Sequence, residues 1–337
     1  MLIICMRYLA CAGSADVETI TGIPGVPNIP VWTYPWMSGE PTQRQATFEA
    51  LASVKGYVEQ LDAVIFNSFT ELEKETMDVL TEQGNLKTKM LPIGPTLLLN
   101  NSSTVDGGAA GKANLSPQDK ECLDWLDTKR KGSVLYAAFG TTAWLGKKEL
   151  HALALGIEAS RVTFLWVLRT DLLVGESDVC FPEGFIERTK GSAHFTSWAP
   201  QPLVLSHPSI GGFVTHGGWN SALEAICNGV PMLMWPDFWD QKMHSEQVVS
   251  EWKVGLPLKS DDPGQVVEPG EVEEMVRRIM QHGLGGEQLD PAGGQVIRGR
   301  VEFWKSKARL AHAGSSYNNM QKLVKLVQQI SSCNNTV

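Results

Sequence analysis

A strand-like run that ends in a glycine-rich turn has the clearest chemical potential in this sequence. The run IGGFVT, residues 210–215, has the apolar and β-branched content of a buried strand, and HGGWNS follows at 216–221. The stretch SALEAIC then carries apolar side chains at helical spacing, and Asn228-Gly229 is typical of a helix end. Such a turn leaves backbone N–H groups at the positive end of a helix. The pattern therefore predicts a site for an anion, most often a phosphate.

Polar and aromatic residues also follow three other predicted strands. They are Trp198-Ala199-Pro200-Gln201 after HFTS, Asp240-Gln241 after PMLMWPDFW, and Phe139-Gly140-Thr141-Thr142 after SVLYAA. In a parallel sheet the carboxyl ends of the strands lie at one edge, where ligands bind. These residues would surround the turn with an aromatic face, carboxylates, amides and hydroxyls. That inventory suits a nucleotide joined to a polyhydroxylated group.

Alternating strands and helices position these residues from Glu121 onward. The predicted strands are SVLYAAFG, FLWVLR, HFTSW, IGGFVTH, PMLMWP and VGLPL, with KKELHALALGIEAS and other helical stretches between several of them. This alternation predicts a parallel sheet with helices on both faces. Two helical stretches, QVIRGRVEFWKSKARLAHA and YNNMQKLVKLVQQI, finish the chain.

The part of the chain before Glu121 is organised differently. Residues 22–36 are rich in Pro and Gly and predict an ordered loop. After this loop, the sequence predicts the helix ATFEALASVKGYVEQL, the strand AVIFNSF, the helix ELEKETMDVLTEQ and the strand KMLPIGP. Residues 97–120 are polar, rich in Gly, Ser and Asn, and predict a linker.

Composition limits the classes of function. The chain has 337 residues, enough for two domains, and its 43% hydrophobic and 20% charged residues are typical of soluble globular proteins. A net charge of −8 argues against nucleic acid or an anionic membrane as the main partner. No apolar run is long enough to span a membrane. The six cysteines lack CxxC spacing, which indicates reduced thiols, no bound metal and a cytoplasmic location.

The span from Trp198 to Gln241 resembles, over its full length and without a gap, the signature box of the plant UDP-sugar-dependent glycosyltransferases. The resemblance extends, in the family's order, to IPGVP, VIFNSFTELE, PIGP, CLDWLD, FGTT, FLWVLR, FPEGF and GSSYNN. It implies a GT-B-like α/β fold with two doubly wound Rossmann-like domains that face a cleft, the N-terminal one incomplete. The expected parts are the rest of an acceptor domain at 1–96, a linker at 97–120, the UDP-sugar donor domain at 121–315, and a helix at 316–337 that packs back on the N-terminal part.

The resemblance implies how the nucleoside would be held. Trp198 would stack on the uracil ring, and backbone groups at Ala199 would contact the edge of the base. Gln201 and Glu224 would hold the ribose hydroxyls. Stacking of a base on an aromatic ring contributes about 1–3 kcal/mol, and a carboxylate can accept hydrogen bonds from two neighbouring hydroxyls.

The resemblance assigns the rest of the donor to two further groups of residues. The diphosphate-binding residues would be His216, Asn220, Ser221 and Thr141. The sugar-binding residues would be Trp219, Asp240 and Gln241, of which Gln241 favours glucose. The UDP-sugar is a co-substrate, and neither a metal nor a separate cofactor is implied.

Each of these residues also has an ordinary structural explanation when it is taken alone. Trp198 and Trp219 could be core or interface aromatics, and His216 could be a satisfied histidine at a strand end. Glu224 could be a solvated helix charge, and Asp240 could cap the helix that follows it. Only the joint spacing of these residues favours a ligand site.

Two positions depart from the family pattern. The box usually has cysteine where this chain has Gly217, and the glycine is expected to loosen the turn without removing a ligand. Trp239 stands where a small residue is usual, and it could crowd the sugar pocket. His207 also matches a family position, and we interpret it as structural.

The family implies an inverting displacement, in which a histidine supported by an aspartate deprotonates the acceptor hydroxyl as UDP leaves. Residues 1–150 contain no histidine, and His151 and His194 lie within donor-half elements. The sequence therefore predicts an N-terminally truncated member without the catalytic base. Three hypotheses stay open: a monomeric UDP-glucosyltransferase acting on a small hydroxylated acceptor, a silent UDP-sugar-binding fragment or pseudoenzyme, and a sugar-nucleotide epimerase, which the box disfavours.

Overall fold

A computed structural model gives the conformation of most of the chain. It describes residues 19–20, 29–30, 41–58, 60–78, 88–100, 115–140, 146–168, 181–237, 239–258, 267–280 and 291–334. The chain divides into two compact units, one formed by Met1–Asn100 with Trp304–Val337 and the other by Asn101–Phe303. We call them the first and second unit. The predicted boundaries at 96, 120 and 315 stay predictions.

The described elements are numbered in chain order. The strands are β1 (Thr19–Ile20), β2 (Ile29–Pro30), β3 (Ala63–Phe66), β4 (Lys89–Pro92), β5 (Val134–Ala138), β6 (Thr163–Val167), β7 (Ala193–Thr196), β8 (Ile210–Thr215), β9 (Met232–Met234) and β10 (Gly255–Pro257). The helices are α1 (Pro41–Val58), α2 (Lys74–Asp78), α3 (Pro117–Asp127), α4 (Lys147–Ser160), α5 (Phe185–Thr189), α6 (Gln201–Ser206), α7 (Trp219–Asn228), α8 (Gln241–Glu246), α9 (Pro269–Met280), α10 (Pro291–Ala313) and α11 (Ser315–Asn334). A 3₁₀ turn covers Thr96–Asn100, and a π-helical turn covers Gln247–Glu251.

The second unit contains a six-stranded parallel sheet in the order β10-β9-β8-β5-β6-β7. The chain runs outward from β5 to β7, then returns to place β8 on the other side of β5 and runs outward again to β10. The strand order therefore reverses between β5 and β8, where Ala138 pairs with Thr215 at the carboxyl end of both strands. Ligands of doubly wound sheets bind in the crevice at such a reversal point.

The sequence pattern explains why these strands lie at the centre. Every residue of β5 and β8 is buried, as expected for strands covered by helices on both faces. Helix α7 follows β8 directly and ends at Gly229, which has a φ of 73°. Glycine adopts this left-handed conformation without steric cost, so the predicted helix end is confirmed.

The segment 97–120 that was predicted to be a linker includes the start of a helix. Helix α3 begins at Pro117. Ser116 and Asp119 form a capping box, in which each side chain bonds the backbone N–H of the other residue, and proline occupies the first helical position. The polar composition of the segment hides this helix-start signal. Residues 101–114 of the predicted linker lie outside the described residues.

The first unit contains two strand pairs among its described residues. Strands β3 and β4 are parallel, and β1 pairs with β2 in antiparallel fashion. Helix α11 lies against β4, where the Asn319 side chain donates to the Pro92 carbonyl at 3.0 Å and Ser316 donates to the Gly94 carbonyl at 2.5 Å. The pairing of β2 corrects the prediction that 22–36 is loop throughout, and the remainder of that segment lies outside the described residues.

The helix predicted over ELEKETMDVLTEQ begins later than expected, because residues 71–73 form a turn and α2 covers only Lys74–Asp78. The rest of the predicted helix lies outside the described residues. Of the helices that the structure describes, none has the length and apolar character needed to cross a membrane.

Candidate functional site

The turn between β8 and α7 lies at the centre of the predicted site. Gly217 has a φ of 86°, a conformation that side-chain-bearing residues rarely adopt, and a Cβ at this position would lie 2.8 Å from Cε of Met234. Its N–H donates to Oγ1 of Thr215 at 3.3 Å, and its carbonyl accepts from Nδ1 of His244 at 3.0 Å. Both backbone groups of Gly217 are bonded, which disagrees with the expectation that this glycine loosens the turn.

His216 lies where the strand order of the sheet reverses, between β5 and β8. Its ring lies between Gly140, just after β5, and Gly218, just before α7. A Cβ at either glycine would lie 2.6 Å from an atom of the imidazole. The side chain is buried, with 7% of the residue exposed, and Nδ1 has no hydrogen-bond partner among the described residues. Burial lowers the pKa of His216 to about 4, while the charge of Asp240 acts in the opposite direction. The imidazole is therefore neutral near pH 7 and offers a hydrogen bond instead of a charge.

Three of the predicted site residues form one hydrogen-bonded cluster. The Gln201 amide nitrogen, at the start of α6, donates to Oγ of Ser221 at 3.0 Å and to Oε2 of Glu224 at 2.8 Å, both on α7. The hydroxyl of Tyr136, on β5, donates to the Gln201 amide oxygen at 3.5 Å. Burial raises the pKa of Glu224, and the Gln201 hydrogen bond opposes that rise. The amide and the carboxylate are thus held side by side at the edge of the sheet.

Trp198 lies on the connection between β7 and α6, where its side chain is 56% exposed. The hydroxyl of Thr196 donates to the Trp198 carbonyl at 2.8 Å. The Gln118 amide, from the first turn of α3, donates to the same hydroxyl at 2.8 Å and to Oγ of Ser197 at 3.0 Å. Ala199 is buried. The connection is thus held in place while the indole remains exposed.

The segment after β9 contributes a carboxylate and an amide. Asp240 occupies the N-cap position of α8, but among the described residues its side chain makes no capping hydrogen bond. Gln241 is buried, and its side-chain oxygen accepts from the Asp237 N–H at 2.9 Å. Trp239 has a φ of 57° and is half exposed, so it is not packed into the core. Asp240 is therefore available to a ligand in a way that a capping aspartate is not.

The structure brings most of the predicted site residues to the same edge of the sheet. Trp219 begins α7 and packs between His244, at 5.2 Å between ring centroids, and Trp252, at 6.0 Å. Asn220 follows it and is exposed. Thr141 lies outside the described residues. Among the described residues, no three His, Cys, Asp or Glu side chains are grouped to hold a metal ion.

Three residues near the site were not identified from the sequence: Tyr136, Gln118 and His244. Tyr136 and Gln118 are 65 and 78 positions from the residues that they contact, so no local pattern could reveal them. His244 could have been found, because it lies one helical turn after Asp240. His207 has the structural role that was expected, with Nδ1 2.7 Å from the Ser209 hydroxyl and Nε2 3.0 Å from Asp127.

A family model described as UDP-glucoronosyl and UDP-glucosyl transferase matches residues 60–258, which include every one of these site residues. The chain belongs to this family. Members of the UDP-glucosyl transferase family among curated proteins include a 7-deoxyloganetin glucosyltransferase of Catharanthus roseus, 37% identical over 79% of this chain and 52% of its own length. UDP-glycosyltransferase 85A7 of Arabidopsis thaliana is 40% identical over 78% of this chain and 51% of its own length. The chain thus spans about half the length of the curated relatives that it matches.

Solved structures of family members confirm the predicted GT-B-like α/β fold class. Phytolacca americana UGT2 complexed with UDP-2fluoro-glucose and pterostilbene has a TM-score of 0.78 and 28% identity, covering 96% of this chain and 69% of that chain. TcCGT1 in complex with UDP has a TM-score of 0.79 and 27% identity, covering 97% and 70%. The resemblance of this chain to the family is confirmed by the family model and by the curated relatives.

Proposed function

We propose that the second unit binds a UDP-sugar at the carboxyl edge of its sheet, and that this site serves the transfer of the sugar to a hydroxyl of a small-molecule acceptor. The observation that carries the proposal is the position of His216 and the α7 start at the reversal point between β5 and β8. The Gln201–Glu224 pair beside it supports a ligand that has hydroxyls next to its phosphates.

The nucleoside would lie between the α6 start and α7. The exposed indole of Trp198 offers a flat face for uracil, and the backbone at Ala199 would contact the base edge. The Gln201–Glu224 pair would accept hydrogen bonds from the ribose hydroxyls and donate hydrogen bonds to them. Gln201 already shares its amide with Ser221 and Glu224, which fixes the carboxylate before the ligand arrives. This preorganisation lowers the entropy cost of binding.

The diphosphate would lie over the first turn of α7. His216, Asn220, Ser221 and Thr141 would bind it together with the backbone N–H groups of the helix start. Negative charge grows on UDP as it leaves the sugar, so donors that are fixed beforehand stabilise the transition state. Because His216 is buried and neutral, it would act as a fixed N–H donor. Loss of one such donor typically reduces the rate by about 100- to 1,000-fold.

The sugar would be held by Trp219, Asp240 and Gln241. Asp240 is half exposed, and its carboxylate can accept from two hydroxyls of a hexose. We infer glucose, because Gln241 ends the box and because curated relatives are named glucosyltransferases. The acceptor would be a small hydroxylated molecule of secondary metabolism, consistent with relatives named for 7-deoxyloganetin and linamarin.

We place the protein in the cytoplasm as a monomer that needs no metal.

Calorimetric titration of the full chain with UDP, UDP-glucose and ADP tests the proposal. UDP and UDP-glucose are expected to bind, and ADP is the matched control because only its base differs from that of UDP. Equal affinity for ADP and UDP, or no binding of any nucleotide, would contradict the uridine site.

A transfer assay with phenolic acceptors accompanies the titration. Because residues 1–150 contain no histidine, we expect nucleotide binding without measurable sugar transfer. Robust transfer would overturn the expectation that this chain lacks the catalytic base.

A further inference from the structure

His244 lies on α8 and contacts the two halves of the proposed donor site. Its Nδ1 is 3.0 Å from the Gly217 carbonyl oxygen in the phosphate turn, and its Nε2 is 3.7 Å from Oδ2 of Asp240. Its ring packs on Trp219 with 5.2 Å between centroids. The side chain is 9% exposed, so it reaches these groups from behind the site and not from its open face.

The acceptor at Gly217 decides how the His244 ring is oriented. A carbonyl oxygen only accepts hydrogen bonds, so the hydrogen must be on Nδ1. In the neutral ring Nε2 then has no hydrogen, and it lies 3.7 Å from Oδ2 of Asp240, beyond a direct hydrogen bond. Gly217 is thereby bonded on both sides, through its N–H to Thr215 and through its carbonyl to His244.

We propose that His244 is a positioning residue that holds the phosphate turn in place. Through the Gly217 carbonyl it fixes the peptide that precedes the α7 start. This inference rests on the proposed function, since it assumes that the turn binds phosphate. His244 itself does not touch the ligand and acts through the turn that does.

Two substitutions and one control separate the hydrogen bond to Gly217 from the packing of the ring on Trp219. In His244→Asn, the shorter amide keeps a donor at the Nδ1 position for Gly217 and loses Nε2. In His244→Phe, an aromatic ring is kept against Trp219 and both nitrogens are lost. Lys242→Ala is the matched control, because it lies on the same helix and is not assigned to the site. Thermal unfolding of each variant verifies that it is folded.

The readout is the affinity of each full-length variant for UDP. His244→Asn is expected to bind UDP within about twofold of the wild type, because its amide keeps a donor for the Gly217 carbonyl. His244→Phe is expected to weaken UDP binding by about tenfold, because the buried Gly217 carbonyl loses its donor. A role in ring packing alone would give the opposite order, since His244→Phe keeps the ring against Trp219 and His244→Asn does not.

The outcomes distinguish this inference from the proposed function. If the wild type does not bind UDP, the proposed function fails and the inference fails with it. If the wild type binds UDP and His244→Phe binds it with wild-type affinity, only the inference is overturned. Should His244→Phe fail to fold, His244→Asn still decides, because a tenfold loss of UDP affinity in that variant would also overturn the inference.

Discussion

Gln201 and Glu224 lie on different helices and are joined by a hydrogen bond of 2.8 Å between Nε2 and Oε2. Gln201 lies near the start of the predicted box and Glu224 near its middle, and the β7–α6 and β8–α7 connections bring them together at one edge of the sheet. Partial burial raises the pKa of Glu224, and the hydrogen bond from Gln201 opposes that rise. A half-buried carboxylate held in this way is suited to bind neighbouring hydroxyls.

The first prediction concerns this carboxylate. Glu224→Gln should weaken UDP binding by about 1.5–3 kcal/mol, the range for hydrogen bonds to a charged group, because the amide is uncharged and has one acceptor oxygen instead of two. Calorimetry gives the affinity. Glu273→Gln on α9 is the control, since Glu273 makes only a helix-surface contact with Arg277 among the described residues. Equal affinities for the two variants would argue against a ribose contact at Glu224.

The second prediction concerns the glycine that precedes α7. In Gly218→Ala the new methyl group would lie 2.6 Å from Nε2 of His216, and the ring cannot move away because Gly140 lies on its other side. We expect a tenfold or greater loss of UDP affinity, about 1.4 kcal/mol or more, with the fold retained. Gly270→Ala on α9 is the control, because nothing lies within 4 Å of its added Cβ. Unchanged affinity in Gly218→Ala would show that the placement of His216 does not matter.

The third prediction concerns pH. The pKa of His216 is about 4 in the folded chain, because burial lowers it from the 6.5 that is usual for histidine. Between these pH values the unfolded chain binds a proton that the folded chain does not, so the free energy of unfolding falls as the pH drops from 6.5 to 4 and this contribution is constant below 4. The full loss is about 3 kcal/mol.

Urea unfolding at several pH values measures this effect. His216→Gln should remove about 3 kcal/mol of the pH dependence across that window, because glutamine has no group that titrates there. His151→Gln on α4 serves as the control substitution. An identical pH dependence in the wild type and in His216→Gln would mean that His216 is not held neutral by burial.

The order of elements in the second unit was predictable, because each strand is a short apolar run and each helix has its own end signals. Helix α4 coincides with the predicted KKELHALALGIEAS, and Gly229 ends α7 where the sequence indicated. Helix α3 was missed, because the capping box at Ser116 and Asp119 lies within a polar segment. Local patterns of this kind can be recognised once the capping residues are considered.

The contacts that hold the site residues in place could not be predicted. Gln118 bonds the Thr196 hydroxyl that holds the Trp198 backbone, and Tyr136 bonds Gln201. The partners in the Gln118 and Tyr136 bonds are at least 65 positions apart in the sequence, and the strand order brings them together. The resemblance to the family predicted which residues bind the donor. It did not indicate that Gly217 would be bonded on both sides, because that depends on a histidine of the next helix.

The central claim is that one uridine diphosphate lies between Trp198 and the α7 start, and Trp198→Ala tests it most directly. Trp198 is 56% exposed, so its loss should leave the fold intact. Phe303→Ala, which removes another exposed aromatic side chain, is the control. In calorimetric titrations with UDP, the account predicts a loss of about 1–3 kcal/mol for Trp198→Ala and no change for Phe303→Ala. UDP binding with wild-type affinity by Trp198→Ala would contradict it.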